Sequence, residues 1–142
     1  MQRKSGRRGE SRRVDYWTLA ELRYYIRRFL RARELAAREV GIEPQQYLLL
    51  LQVKGLEGRQ PTTIRALAER LQLQHHSTVG LVDRLAQRGY VARRRDSRDG
   101  REVLVELRPA GEAVLRRLAL FSIQELRTEG PALVATLKRL IG

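Results

Sequence analysis

Residues 75–107 read HHSTVGLVDRLAQRG, then YVARRRD, SRDG and REVLVEL, and the change of period inside this run decides the fold. Over 75–88, steps of about 100° per residue set Val79, Val82, Leu85 and Ala86 on one side and His76, Ser77, Gly80, Arg84 and Arg88 on the other. That pattern predicts a one-faced helix with a slim polar outer surface. After Gly89, Val103, Val105 and Leu107 alternate with Leu104 and Glu106, which predicts a strand; Tyr90–Arg95 supplies its partner and Asp99-Gly100 the turn between them. Within residues 93–101 of this hairpin, Arg93, Arg94, Arg95, Arg98 and Arg101 stand against Asp96 and Asp99. A short helix fits the major groove of DNA, and a basic loop tip fits the minor groove.

The preceding segment strengthens the reading. Pro61 and Thr62 lead into Ile64, Leu67, Ala68 and Leu71, an i, i+3, i+4, i+7 stripe with a Thr at the cap. The pattern restarts at His75 after Gln72, Leu73 and Gln74, the spacing of a helix-turn-helix. His75 and His76 diverge around the helix, and neither a cysteine nor an HxxxH partner completes a metal site. The expected use of His76 or Ser77 is a phosphate or base contact near the helix N-terminus. Gly80, on the outer face, admits either close approach to a groove wall or drift at a tolerant position.

Further upstream, Leu19, Leu22, Ile26, Phe29, Leu30, Ala36, Ala37 and Val40 recur near a 3.6-residue period, predicting a long helix over about 15–40. Asp15 can cap it, and Thr18-Leu19-Ala20-Glu21 offers a rival capping box. Tyr16, Trp17, Tyr24 and Tyr25 cluster here, as an interface or as the wall of a pocket. Gly41 ends this helix and Pro44 opens the next, whose run Leu48 to Leu51 is too apolar for a surface helix and is expected in the core. Beyond the hairpin, Pro109 starts a helix that is apolar at Val114, Leu115, Leu118, Leu120, Phe121, Ile123 and Leu126, more than one buried face needs. That excess predicts a second chain. Gly130-Pro131 is expected to break this helix, leaving a last one built on Leu133, Val134, Leu137, Leu140 and Ile141.

Composition sets the outer bounds. In 142 residues, 29 Lys and Arg stand against 16 Asp and Glu, a net charge of +13, so a polyanionic partner is indicated. The absence of cysteine excludes disulfides, Cys-based zinc sites and thiol switches. Residues 1–14 are too basic and too poor in apolar side chains to build a core, and form either a flexible arm on phosphates or a solvated tail. No apolar run approaches a bilayer span and no signal-peptide apolar region follows the basic N-terminus, so a cytoplasmic location and no membrane contact are expected. Neither a Ser-His-Asp grouping, a metal-ligand spacing nor a Gly-rich phosphate loop is legible; the expectation is a protein that is not an enzyme and needs no metal or cofactor.

Taken in order, GIEPQQYLLL, IRALAERLQLQHHSTVGLVDRLAQRGYVARRRD and DGREVLVELRPAG resemble the MarR family of bacterial winged-helix regulators, over roughly residues 15–125. The resemblance implies a mainly α fold with a small β-wing: a DNA-binding winged helix over about 43–108, framed by dimerisation helices over about 15–40 and 109–142. It implies a wing-tip Arg in the minor groove held by an Asp, matched by Arg101 and Asp99, with Arg95 and Arg98 beside them. Ser77 and Thr78 match the Ser-Thr at the start of the family's recognition helix, and Asp83, Arg84 and Leu85 its D-R-L. The DNA-binding set expected is therefore His76, Ser77, Thr78, Gly80, Arg84, Arg95, Arg98, Asp99 and Arg101, on a pseudo-palindromic duplex read by a homodimer. The resemblance further implies repression modulated by a small aromatic ligand, with Trp17, Arg23, Tyr24, Arg27 and Tyr47 as contacts. The chain departs from the family at Glu43 and Arg108, where Thr is frequent, and at Gly100, where an Arg is common. Two rival readings use the same residues: a packing protein that binds any nucleic acid by charge, and a winged helix used for protein contacts.

Overall fold

Leu49 and Leu50, in the middle of the apolar run, are fully buried, and the other elements are stacked around the helix that carries them. The computed structural model of the chain describes residues 13–95, 100 and 102–142. Its elements are α1 (Tyr16–Glu39), α2 (Pro44–Leu56), α3 (Ile64–Leu71), α4 (His75–Gln87), β1 (Val91–Arg95), β2 (Val103–Leu107) and α5 (Pro109–Ile141). One core joins Leu49, Leu50 and Val53 of α2 to Leu67 of α3, Leu81, Val82 and Leu85 of α4, Val91 and Val105 of the hairpin, and Leu115 and Leu118 of α5. This is the mainly α winged helix-turn-helix expected. Leu48 and Leu51, by contrast, are 43% and 37% exposed, so α2 is buried on one side and open on the other. No helix among the described residues is long and apolar enough to cross a membrane.

The caps settle where helices begin. Asp15 accepts from the Thr18 backbone N–H at 3.0 Å and from its hydroxyl at 2.6 Å, so Asp15 is the cap and Thr18 a buried donor inside the helix. Those two bonds, the hydroxyl first, hold the Asp15 carboxyl below the usual carboxylate range. At α2 the Gln46 side chain accepts from the Glu43 backbone N–H at 3.1 Å, in a capping box that Glu43 reciprocates toward the Gln46 backbone. Arg108, the other departure, caps α5 without a side-chain bond. Thr63 caps α3 through the Ala66 N–H at 3.1 Å. Thr63→Ala is expected to cost about 1 kcal/mol and lower the melting midpoint by roughly 4 °C, measurable by thermal denaturation.

Thr62 ties the wing down. Its hydroxyl donates to the Val105 carbonyl at 2.6 Å and its own carbonyl accepts from Val105 N–H at 2.9 Å, extending the antiparallel pairing of Val91–Arg95 with Val103–Leu107. Between α3 and α4 the chain turns at Gln72, which takes the left-handed conformation at φ 55°. Its side chain donates to the Glu69 carbonyl at 2.8 Å, and Leu73 N–H reaches back to Ala68 at 2.9 Å, a Schellman-type closure.

The expected break at Gly130-Pro131 does not occur: α5 runs unbroken from Pro109 to Ile141 with Pro131 inside it. A proline there removes one backbone bond and crowds the preceding turn, but α5 is held on both sides of it. Arg33 meets Glu125 at 2.5 Å and Arg28 meets Glu129 at 2.9 Å before the proline, and Thr136, buried, follows it. Tertiary contact overrides the local rule. Arg33 lies between the rings of Phe29 and Phe121, at 4.8 and 4.7 Å, and welds α1 to α5.

Candidate nucleic-acid interface

Helix α4 presents His75, His76, Ser77, Arg84 and Gln87 to solvent, while Thr78, Leu81, Val82 and Leu85 face the core. The inner face is thus centred on Thr78 and Leu81 rather than on Val79 and Ala86, which are only half-buried. Thr78 corrects the expected reading set: it is fully buried, and its hydroxyl donates to the Gln74 carbonyl at 3.0 Å. A hydroxyl turned back onto its own helix cannot reach a base edge. Gly80 is half-buried, and a methyl group added there would meet only the tip of Arg84 at 3.6 Å, ordinary contact. Nothing among the described residues requires a glycine at that place.

Arg88 also leaves the outer face. Its guanidinium folds back onto the Gly41 carbonyl, the Gln46 side chain and Tyr90. In the wing, Arg93 is paired with Asp83 of α4, Arg94 Nε with Glu106 at 3.1 Å, and Arg95 Nη1 with the Gly100 carbonyl at 2.7 Å. The pair between Asp83 and Arg93 was not anticipated from sequence, although opposite charges flanking the helix-to-strand turn were there to see. It locks the wing against α4 across ten residues of chain. Arg95, exposed, stands at the outer end of β1; Arg98, Asp99 and Arg101 lie outside the described residues, as do residues 1–12 of the basic tail.

The candidate ligand contacts divide. Tyr24 and Arg27 line a groove of about 410 Å³ along α1, with Arg28, Phe29 and Arg31 and with Glu125 and Glu129 of α5. Trp17 is 70% exposed near the start of α1, and neither it nor Arg23 lines this groove. Tyr47 is corrected as well: it is 5% exposed, with its hydroxyl 3.1 Å from Ser122 Oγ, a core contact between α2 and α5 rather than a groove wall. Elsewhere on the surface, Lys54 bridges Glu112 at 2.5 Å and Glu57 at 3.4 Å. The Glu112 contact, then Glu57, pushes its ammonium above the usual lysine range.

Comparison with known proteins follows the same outline. The MarR family model matches residues 40–102, from the end of α1 to the foot of β2. A probable transcriptional regulator from Pseudomonas aeruginosa is 29% identical, with a TM-score of 0.61 over 84% of this chain and 93% of its own. MarR from Escherichia coli, without ligand, is 21% identical with a TM-score of 0.68, over 87% and 96% of the two chains. A mutant of Staphylococcus aureus MepR bound to an oligodeoxyribonucleotide is 16% identical with a TM-score of 0.66, over 91% and 97%. No curated protein matches the chain in sequence. The MarR family match across the winged helix, set in a fold that spans nearly the whole of these chains, makes this protein similar to the MarR family of winged-helix transcriptional regulators.

Proposed function

We propose that this chain is a homodimeric, sequence-specific DNA-binding repressor that reads a pseudo-palindromic site with α4 and its wing. The observation that carries the reading is the exposed row His76, Ser77 and Arg84 on a helix whose other face is locked into the core, beside an arginine-rich wing. Small polar groups suit base edges and guanidinium groups suit guanine or phosphate. The DNA-bound MepR relative, of the same fold, supports it. Arg95, Arg98 and Arg101, with Asp99 holding the last, serve the minor groove in this reading, and Gly80 leaves room for a groove wall. Exposed apolar side chains on α1 and α5, among them Trp17, Leu30, Leu120 and Ile123, supply the dimer surface.

Selection of bound sequences from a random duplex pool tests the reading. A palindromic consensus with half-sites about one helical turn apart is expected, preferred over random duplex by about 10³-fold or more. Equal binding to all duplexes would instead indicate charge-driven packing, and no binding at low salt a winged helix for protein contacts. On the selected site, Ser77→Ala is expected to cost about 1–3 kcal/mol of discrimination at one base pair, whereas Thr78→Val, buried, leaves base preference unchanged and registers only in thermal stability.

A small aromatic anion is the modulator in this reading. The groove holding Tyr24, Phe29, Arg27, Arg28 and Arg31, with Glu125 and Glu129 engaged by Arg33 and Arg28, offers stacking and positive charge together. Such a ligand shifts DNA affinity only by preferring one separation of the two heads; titration of candidate aromatic acids against the selected duplex reads that coupling.

A further inference from the structure

Arg88 stands immediately beyond α4 and binds three elements at once. One terminal nitrogen donates to the Gly41 carbonyl at 2.8 Å and to the Tyr90 hydroxyl at 3.3 Å, and the other donates to Gln46 Oε1 at 3.2 Å. The guanidinium carbon lies 4.8 Å from the centre of the Tyr90 ring. Gly41 is the turn between α1 and α2, in the left-handed conformation at φ 79°. Gln46 is buried and also closes the cap of α2 through the Glu43 N–H. Tyr90 starts the wing: its N–H bonds Leu85 at 3.0 Å and its carbonyl receives Arg108 N–H at 2.9 Å, where α5 begins. The end of α4 and the turn between α1 and α2 therefore meet at one side chain, which also packs on Tyr90, the residue whose backbone carbonyl seats the start of α5.

We propose that Arg88 is a positioning residue that fixes the pitch of α4 against α1 and α5, and through it the half-site spacing the dimer accepts. The inference rests on the DNA-reading role proposed above. Core contacts along Thr78, Leu81, Val82 and Leu85 hold the inner face of α4, and the directed bonds of Arg88 fix its C-terminal end against acceptors on the neighbouring elements. Arg88 sits at the end of α4 opposite His76 and Ser77, so it acts as the pivot. The 13 residues of α4 span roughly 20 Å; a tilt of about 10° displaces the reading end by ~3 Å, close to the rise of one base pair per strand. Small looseness at Arg88 thus becomes a whole step in register at Ser77.

Arg88→Lys separates this role from its alternatives, because lysine keeps the charge but lacks the planar fork that serves several acceptors and stacks on an aromatic ring. Duplexes carrying the selected half-sites at the preferred separation and at one base pair more or less are compared for wild type and variant. The expected result is a fall of about tenfold in the preference for the correct separation, with the salt slope unchanged. An unaltered preference, including uniform weakening at every separation, overturns the proposal, and so does a salt slope lower by about one, which marks a phosphate contact. A DNA-free arm keeps the test independent of the operator. The chain has no cysteine, so Ala20→Cys on α1 and His75→Cys on α4 accept a spin-label pair, read within single labelled chains diluted into unlabelled protein. Arg88→Lys is expected to broaden or shift that distance by ~3 Å, and an unchanged distribution overturns the proposal. Wild-type protein that selects no consensus defeats the DNA-reading role instead, while the distance arm still decides whether Arg88 sets the pitch.

Discussion

Gly111→Ala is expected to lower stability by about 2 kcal/mol or more, the balance of an overpacking cost of about 3 kcal/mol and a helix-propensity gain of about 1 kcal/mol. A Cβ on Gly111 would lie 2.2 Å from the Tyr90 carbonyl oxygen, 3.0 Å from its carbon and 3.2 Å from its Cα. All three are backbone atoms, so no side chain can swing aside. That carbonyl is already committed to Arg108 N–H at 2.9 Å, and Tyr90 N–H to Leu85 at 3.0 Å. Relief requires α5 to lift away from the start of the wing, stretching the bond that seats its first turn. The melting midpoint is expected to fall by on the order of 10 °C, followed by circular dichroism at the helix band. Gly55→Ala is the matched control: it lies within α2 with nothing within 4 Å of an added Cβ, so the propensity gain appears there unopposed. A midpoint for Gly111→Ala equal to that of the control would show that α5 is not seated on Tyr90 as described.

The same contact marks what local pattern could and could not carry. Helix-turn-helix spacing and the switch from a 3.6 to a 2 period placed α3, α4 and both strands within a residue or two of their ends, because those periods are properties of the backbone itself. The absolute orientation of α4 is another matter. Steps of about 100° fix relative angles but not which arc faces inward, and a Thr at 78 reads as polar until its hydroxyl is seen bonded to Gln74. Arg88 was misplaced for a related reason: at a helix end the side chain is free to double back, and its acceptors at Gly41 and Gln46 are more than forty residues away. Pro131 is the converse case, a strong local signal overruled because ion pairs and burial hold α5 on both sides of it. Tyr47, an aromatic near a suspected pocket, belongs to the core through its bond to Ser122, a partner 75 residues away.

Ile123→Glu is expected to dissociate the proposed dimer and reduce operator affinity by about 10²- to 10³-fold, within the range that bivalent attachment contributes. On α5, Leu120, Ile123, Leu126, Val134, Leu137 and Ile141 are each at least 40% exposed, and steps of about 100° place all of them within an arc of roughly 120°. Tyr16, Trp17, Leu19, Tyr24, Leu30 and Leu35 add exposed apolar side chains along α1. Exposed apolar side chains in this number on two packed helices mark an interaction surface. Ile123 is 46% exposed in the single chain and lies outside the core cluster, so a glutamate there opens no cavity and the protomer keeps its fold. In an isologous pair every substitution occurs twice, and each carboxylate pressed into an apolar interface must be desolvated without a partner. The helices then prefer water to each other. Sedimentation equilibrium is expected to report a monomer where wild type is a dimer, with an unchanged far-ultraviolet spectrum and only weak binding to single half-sites. A variant that remains dimeric and holds its operator would move the interface away from this face of α5, and with it the geometry by which two α4 helices reach successive major grooves.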